Sequence, residues 1–262
     1  SLGNGAAMRS APVGLRFFAD HEKIWQQAAA SAHPTHRHQL GVEGAQLMAL
    51  ATSLAIELAD INPPTLATAL RPWCETTVFG KRIEMLGAIQ DSEEIAVLGT
   101  GIEAHESVVT ALACFALTPN DYSRAIGLAI WQGGDTDTLA AMTGALCGAR
   151  LGRGLIPDDP LANLEDGEFV DHVCGMAARL AATIEGCLIG TALADATGAL
   201  YEGVLRQDLR EQFDSPQSVL DHAWSRQLHY TDDTEMTLAL VEYLSRHESI
   251  ESEPLMRLFV DR

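Results

Sequence analysis

Two short acidic strings hold the residues best suited to chemistry, Gly133-Gly134-Asp135-Thr136-Asp137-Thr138 and Tyr230-Thr231-Asp232-Asp233-Thr234. Each packs two carboxylates and two threonine hydroxyls into a single turn ahead of an apolar run with helical spacing. Four carboxylates brought together repel strongly at neutral pH unless hard divalent cations sit between them. The pattern therefore points to a Mg²⁺ or Mn²⁺ centre. Taken singly, each string also reads as ordinary helix capping: Thr231 suits an N-cap, and Asp232, Asp233 and Glu235 suit the positive end of a helix dipole. Capping needs one acceptor, however, not an Asp-x-Asp-Thr together with a Thr-Asp-Asp-Thr. Gly133-Gly134 also frees the backbone for a close approach.

Other segments carry weaker signals. Gly3-Asn4-Gly5-Ala6-Ala7-Met8-Arg9 is a glycine turn entering a helix, an ordinary turn by itself, but one whose N–H groups can hold a phosphate or ribose oxygen. Glu202 ends a Gly/Ala-rich helical run, where a carboxylate is either plainly solvated or a mobile acid or base. Asp195 lies in the apolar run Leu193-Ala194-Asp195-Ala196 and needs a partner, a buried donor or the surroundings of a metal. His33, His36 and His38 suggest zinc, but Pro34 breaks helical spacing and Arg37 would sit among the ligands. A solvated loop is the plainer reading, with one histidine left to contact a substrate. P-loop, dinucleotide-binding, nucleophile-elbow and H-E-x-x-H motifs are all absent.

Helices must position these residues. Small and aliphatic side chains recur at three-to-four spacing over 41–59, 102–117, 122–132, 137–152, 176–200 and 234–246, and alternating β-branched runs are scarce. The fold expected is all-α, a compact orthogonal bundle in which Gly and Ala let helix axes approach closely. Residues 155–172 read as a surface connection, and 203–229 as a flexible loop or a long connection holding a short helix. The 262 residues suffice for a large core, and a net charge of -19 disfavours nucleic acid as a partner. Five cysteines without a C-x-x-C pair suit reduced thiols and a cytoplasmic location, and no stretch suits a signal peptide or a membrane span.

With these segments together, the chain resembles the ADP-ribosylglycohydrolase superfamily, all-α di-magnesium enzymes that include dinitrogenase reductase-activating glycohydrolase and the ADP-ribosyl-acceptor hydrolases. The two acidic strings match its metal-binding signatures, the Gly3-Asn4-Gly5 turn its third hallmark, and Gly198-x-x-Tyr201-Glu202 the stretch with its flexible glutamate. Likeness continues through Thr35-His36, Gly101-Ile102-x-Ala104-x-Glu106-Ser107 and Gly144-Ala145-x-x-Gly148-Ala149, nearest to the serine- and poly-ADP-ribose-directed branch. The resemblance implies two Mg²⁺ ions, with Mn²⁺ as substitute, on Thr231, Asp232, Asp233, Asp135, Asp137 and Thr138. It implies contacts to ADP-ribose from Ser1, Gly3, Asn4, Gly5, His36 and Ile102, and catalysis by Glu202, Asp233 and Asp137. Leu2 stands where relatives often carry a stacking aromatic.

The order of segments is permuted relative to the family. The family's C-terminal part falls at 1–167 and its N-terminal part at about 176–262, forming one domain, with the join within 158–180 and Met176 a candidate ancestral start. A glycine-rich substrate loop of the family has no counterpart, so the chain is either circularly permuted and trimmed or joined out of order with a stretch missing. The implied activity is metal-dependent hydrolysis of the C1″–acceptor bond of ADP-ribosylated protein, without nucleic acid or membrane. The competing readings are an ADP-ribose-binding protein without turnover, and a hydrolase of O-acetyl-ADP-ribose or a related nucleotide-sugar.

Overall fold

The computed structural model describes residues 1–164 and 182–260, and every described element is a helix or a helical turn. Fourteen α-helices lie among the described residues. They are α1 (Ala11–Arg16), α2 (His21–Ala32), α3 (Gln39–Glu57), α4 (Pro63–Leu70), α5 (Thr77–Ala88), α6 (Ala104–Leu117) and α7 (Tyr122–Trp131). Then follow α8 (Thr136–Leu151), α9 (Asp158–Leu161), α10 (Ala182–Gly198), α11 (Arg206–Gln212), α12 (Pro216–Trp224), α13 (Asp232–Arg246) and α14 (Ser252–Val260). Among the described residues, pairing of extended backbone is limited to isolated bridges such as Gly3 with Glu103 and Gly133 with Leu205.

Helix starts follow side-chain chemistry. Asn62 and Ser215 form reciprocal capping boxes ahead of prolines that open α4 and α12, and Asp20 and Asp121 accept the orphan amides of α2 and α7. Apart from the start of the helix expected over 176–200, the expected helices appear within a few residues of their predicted ends. Residues 203–229 hold two short helices, α11 and α12, joined by turns, rather than one loop.

Helices α3, α6 and α8 are buried on nearly every side, and α8 and α10 form the tightest pair. Their seam is glycine against glycine. A Cβ on Gly148 would lie 2.0 Å from the Gly186 carbonyl oxygen, and one on Gly144 would lie 2.2 Å from that of Gly190. The Tyr122 hydroxyl pins the same seam by donating to the Gly190 carbonyl at 2.7 Å. Backbones this close leave the N-terminal end of α8 beside the C-terminal end of α10, where the Thr136 hydroxyl donates to the Gly198 carbonyl at 2.9 Å. Helix α13 packs on α10, α8 and α1, which brings the second acidic string to the same place. Residues 176–181 of the expected helix, Cys174, Met176 and most of the expected join lie outside the described residues.

Candidate functional site

Gly133 and Gly134 turn the chain into α8 with φ of 71° and 80°, a region glycine enters without strain. No side chain would fit: a Cβ on Gly133 would lie 2.5 Å from the Arg206 nitrogen, and one on Gly134 would lie 2.4 Å from the Thr100 carbonyl oxygen. The backbone uses this closeness. The Asp135 amide donates to the Thr100 carbonyl at 3.1 Å, the Gly134 amide to the Val204 carbonyl at 2.8 Å, and the Gly203 amide to the Gly134 carbonyl at 2.7 Å. The loop bearing Glu202 is thereby tied to the turn bearing Asp135. Asp135, Asp137 and Glu202 each place a carboxylate oxygen within 4.8 Å of the others.

The second string is shaped by Asp195, fully buried on α10. It accepts the Thr231 amide at 3.0 Å, the Thr231 hydroxyl at 2.9 Å and the Thr234 amide at 3.1 Å, along with the Thr234 hydroxyl. One buried carboxylate thus fixes both threonines and leaves Asp232 and Asp233 free of that task. Thr231 also caps α13, its hydroxyl oxygen accepting the Asp233 amide at 3.3 Å. Asp232 is exposed, whereas Asp233 is 2% exposed with its Oδ2 buried and unpartnered among the described residues.

These carboxylates disfavour one another's charge. Burial pushes Asp135 up to about 6, opposed by a hydrogen bond from the Asn4 amide and reinforced by Asp137. Burial also raises Asp195 to about 6 against the threonine donors, with repulsion from Asp137 adding to it. Asp233 is driven well above the carboxylate range by burial, then by Asp195 and Asp137. Glu202 is solvent-facing, and repulsion from Asp137 is the main cause of its upward shift. A buried carboxylate oxygen without a donor, set among acids that resist ionising together, is what a divalent cation would relieve. The donor set is all oxygen, from carboxylates and threonines, which suits Mg²⁺ or Mn²⁺ rather than zinc.

Beside Asp135 lies the glycine turn. The Asn4 side-chain amide bridges Asp135 and the buried Ser107 hydroxyl, 3.0 Å away, and the Asn4 backbone amide donates to the Ile102 carbonyl at 2.9 Å. The Gly3 amide donates to Ser1 Oγ at 3.0 Å. His36 is 8% exposed and closes over Gly3 and Gly5, while the Ile102 side chain is 69% exposed at the rim. Burial and the charge of Arg9 lower His36 to about 4, so its ring is neutral at pH 7. His33 and His38 are exposed and do not gather with His36 as a metal set.

Geometry brings together Asp135, Asp137, Glu202, Thr138 and Asp233, and sets Asp232 close enough to act on Glu202. It places Ser1, Gly3, Asn4, Gly5 and His36 at one turn, with Ile102 reaching it through its carbonyl group. The roles of Ser107 and Thr100 escape a reading of the sequence, because a small polar residue in an apolar helix and a loop carbonyl carry no pattern of their own.

The family model described as ADP-ribosylglycohydrolase matches residues 1–185 and 176–261. The chain is 31% identical over 204 residues to the human protein named ADP-ribosylhydrolase ARH3, covering 65% of this chain and 56% of that one. The Danio rerio protein of that name is 32% identical over 214 residues, covering 69% and 57%. An uncharacterized Escherichia coli protein, YegU, is 34% identical over 180 residues, covering 62% and 53%. The chain thus spans a little over half the length of the curated relatives it matches.

Proposed function

Because the chain belongs to the ADP-ribosylglycohydrolase family, we propose that it is a metal-dependent hydrolase that releases ADP-ribose from modified protein side chains by cleaving the C1″–acceptor bond. The observation that carries this reading is the meeting of Asp135, Asp137 and Glu202 beside the Asn4 turn, against a buried Asp233 with a carboxylate oxygen left over. Thr231, Asp232, Asp233, Asp135, Asp137 and Thr138 would hold two Mg²⁺ ions, or Mn²⁺ in their place. When bound, such ions supply Lewis acidity and orient ribose hydroxyls and water.

The chain's own residues do the rest. Asn4 holds Asp135 in place, and Asp195 holds Thr231 and Thr234, so that the carboxylates meet at a fixed spacing. Gly3, Gly5, Ser1 and His36 bind the ADP-ribose, with Ile102 at the rim near the base. Asp137 and Asp233 stabilise the positive charge that develops as the bond to the anomeric carbon breaks. Glu202, exposed and shifted upward, moves a proton to the leaving acceptor or from the attacking water. Residues 1–167 and about 176–262 act as one domain, since each segment supplies part of this set. The four cysteines among the described residues, Cys74, Cys114, Cys147 and Cys187, are free thiols, which supports a reducing cytoplasmic setting.

The test is release of ADP-ribose from serine- and arginine-ADP-ribosylated peptides, with Mg²⁺ and again with EDTA. Metal-dependent release is the expected outcome and names the acceptor. Tight ADP-ribose binding without release from either peptide would move the reading to a binding module. Release only from O-acetyl-ADP-ribose would change the substrate class.

A further inference from the structure

Arg9 is 1% exposed, and it carries its charge into the base of the glycine turn. Its guanidinium donates to the Gly5 carbonyl, to the Ser31 carbonyl at 3.2 Å and to Thr35 Oγ1 at 2.8 Å, while the Phe259 ring covers it 4.8 Å away. A guanidinium has donors only, so the Thr35 oxygen accepts. Two other groups compete for the single Thr35 hydroxyl proton. His36 Nδ1 lies at 2.7 Å and the Ala32 carbonyl oxygen at 3.5 Å. The first is a normal O–H donor distance and the second is too long. The Ala32 carbonyl also already accepts both the Thr35 amide at 3.1 Å and the His36 amide at 2.8 Å, which occupies its two lone pairs. The Thr35 proton therefore points at Nδ1, which accepts it, and the neutral ring must carry its own proton on Nε2. The opposite arrangement would aim a guanidinium N–H and a ring N–H at one oxygen and leave its hydroxyl proton only solvent or the distant, already occupied Ala32 carbonyl.

Nε2 faces the turn, lying 3.9 Å from where a Gly3 Cβ would sit and 3.7 Å from where a Gly5 Cβ would sit. It has no hydrogen-bond partner among the described residues, although His36 is nine-tenths buried. The structure thus aims an N–H that has no protein partner at the space over Gly3–Gly5, where an incoming acceptor would take the place of water.

We propose that Arg9 and Thr35 are positioning residues that lock His36 as its Nε2–H tautomer, presenting a neutral donor to a phosphate or hydroxyl oxygen held over the Gly3–Gly5 turn. The ligand half of this statement rests on the proposed function, whereas the tautomer half does not. With Nδ1 engaged, the ring cannot reverse its donor and acceptor ends, so the turn selects ligands that offer an acceptor.

The experiment is ¹⁵N NMR of the His36 ring across pH 5–8, with calorimetric titration of ADP-ribose into the same samples. His36→Gln identifies the ring signals. The wild-type ring should be Nε2–H throughout, and Thr35→Ser should keep it so. Thr35→Val should return it toward the mixed tautomers of a free imidazole, protonate it at higher pH, and weaken ADP-ribose binding roughly fivefold. Thr35→Asp can only accept, pairs with Arg9, and should place a proton on Nδ1. An Nδ1–H ring in the wild type, or an Nε2–H ring surviving in Thr35→Asp, overturns the relay. Unchanged affinity in Thr35→Val overturns the ligand half. A wild-type protein with the Nε2–H ring and no affinity for ADP-ribose would instead overturn the proposed function and leave the relay standing.

Discussion

Repulsion from Asp137 acts on Asp135, Asp195, Glu202 and Asp233 alike, which makes it the charge the rest of the site must accommodate. Two consequences follow for Asp137→Asn. Its hydrolytic rate should fall by at least a factor of about 100, as when a metal site is disrupted, measured as ADP-ribose release with excess Mg²⁺. In EDTA the same variant should be more stable than wild type by about 1–2 kcal/mol, because a repelling charge is gone. Urea titration reads this, and a variant less stable than wild type in EDTA would contradict the electrostatic account. The pH dependence has a definite sign. Burial pushes Asp135 and Asp195 up to about 6, from the ordinary carboxylate value of 3.8. Between these values the native state holds more protons than the unfolded state, so metal-free stability is highest near pH 4 and declines as pH rises through 6. His36, lowered to about 4, contributes the opposite slope in the same window, but one imidazole is outnumbered by the buried carboxylates. Melting in EDTA from pH 4 to pH 7 checks the direction, and saturating Mg²⁺ should remove the decline.

At the scale of elements, the clustered carboxylates depend on a seam far from them. Helices α8 and α10 touch through Gly144, Gly148, Gly186 and Gly190, and the acidic ends sit where that contact delivers them. Gly148→Val has no room beside the Gly186 carbonyl, so it should cost about 1–3 kcal/mol and spread Asp135 from Asp195. The expected reading is a lower urea midpoint together with weaker metal affinity, not stability loss alone. The Glu202 loop is tied by a different device. Arg210 grips both oxygens of Glu93 at 2.7 Å, just beyond the backbone bridge between Gly203, Val204 and Gly134. Glu93 is exposed, so this ion pair adds little to global stability. Glu93→Gln should therefore leave the urea midpoint near wild type while increasing amide exchange at 203–205, which mass spectrometry resolves.

At the scale of the whole molecule, the site is shared between distant parts of the chain. Asn4 and Asp135 come from one segment, and Asp195, Glu202 and Asp233 from the other, with α8 against α10 between them. A core divided this way should unfold as one unit, so helical circular dichroism and tryptophan fluorescence should give coincident urea transitions. Two separated transitions would argue for independent domains. The net charge of -19 sets a second expectation. Peptides with Lys or Arg around the modified residue should show a KM that rises with salt, because screening removes their attraction to an acidic surface.

Residue order alone is enough to show that the fold is helical and to single out the two acidic strings. Helical periodicity and capping chemistry act over a few residues, so α3, α6, α8 and α13 were legible from spacing, and so were the acidic turns at the starts of α8 and α13. It also showed that Asp195 needed a partner, because a charge in an apolar run cannot go unpaired. The partner itself comes from packing: two threonines 36 and 39 residues away. The same holds for the Asn4 bridge to Asp135, 131 residues apart, and for the anchoring of the Glu202 loop on Gly134. The His36 ring direction depends on an arginine 26 residues before the threonine beside it. Short-range patterns are written in residue order. Carboxylate spacing, buried charge and tautomer are fixed by contacts between segments that only packing brings together.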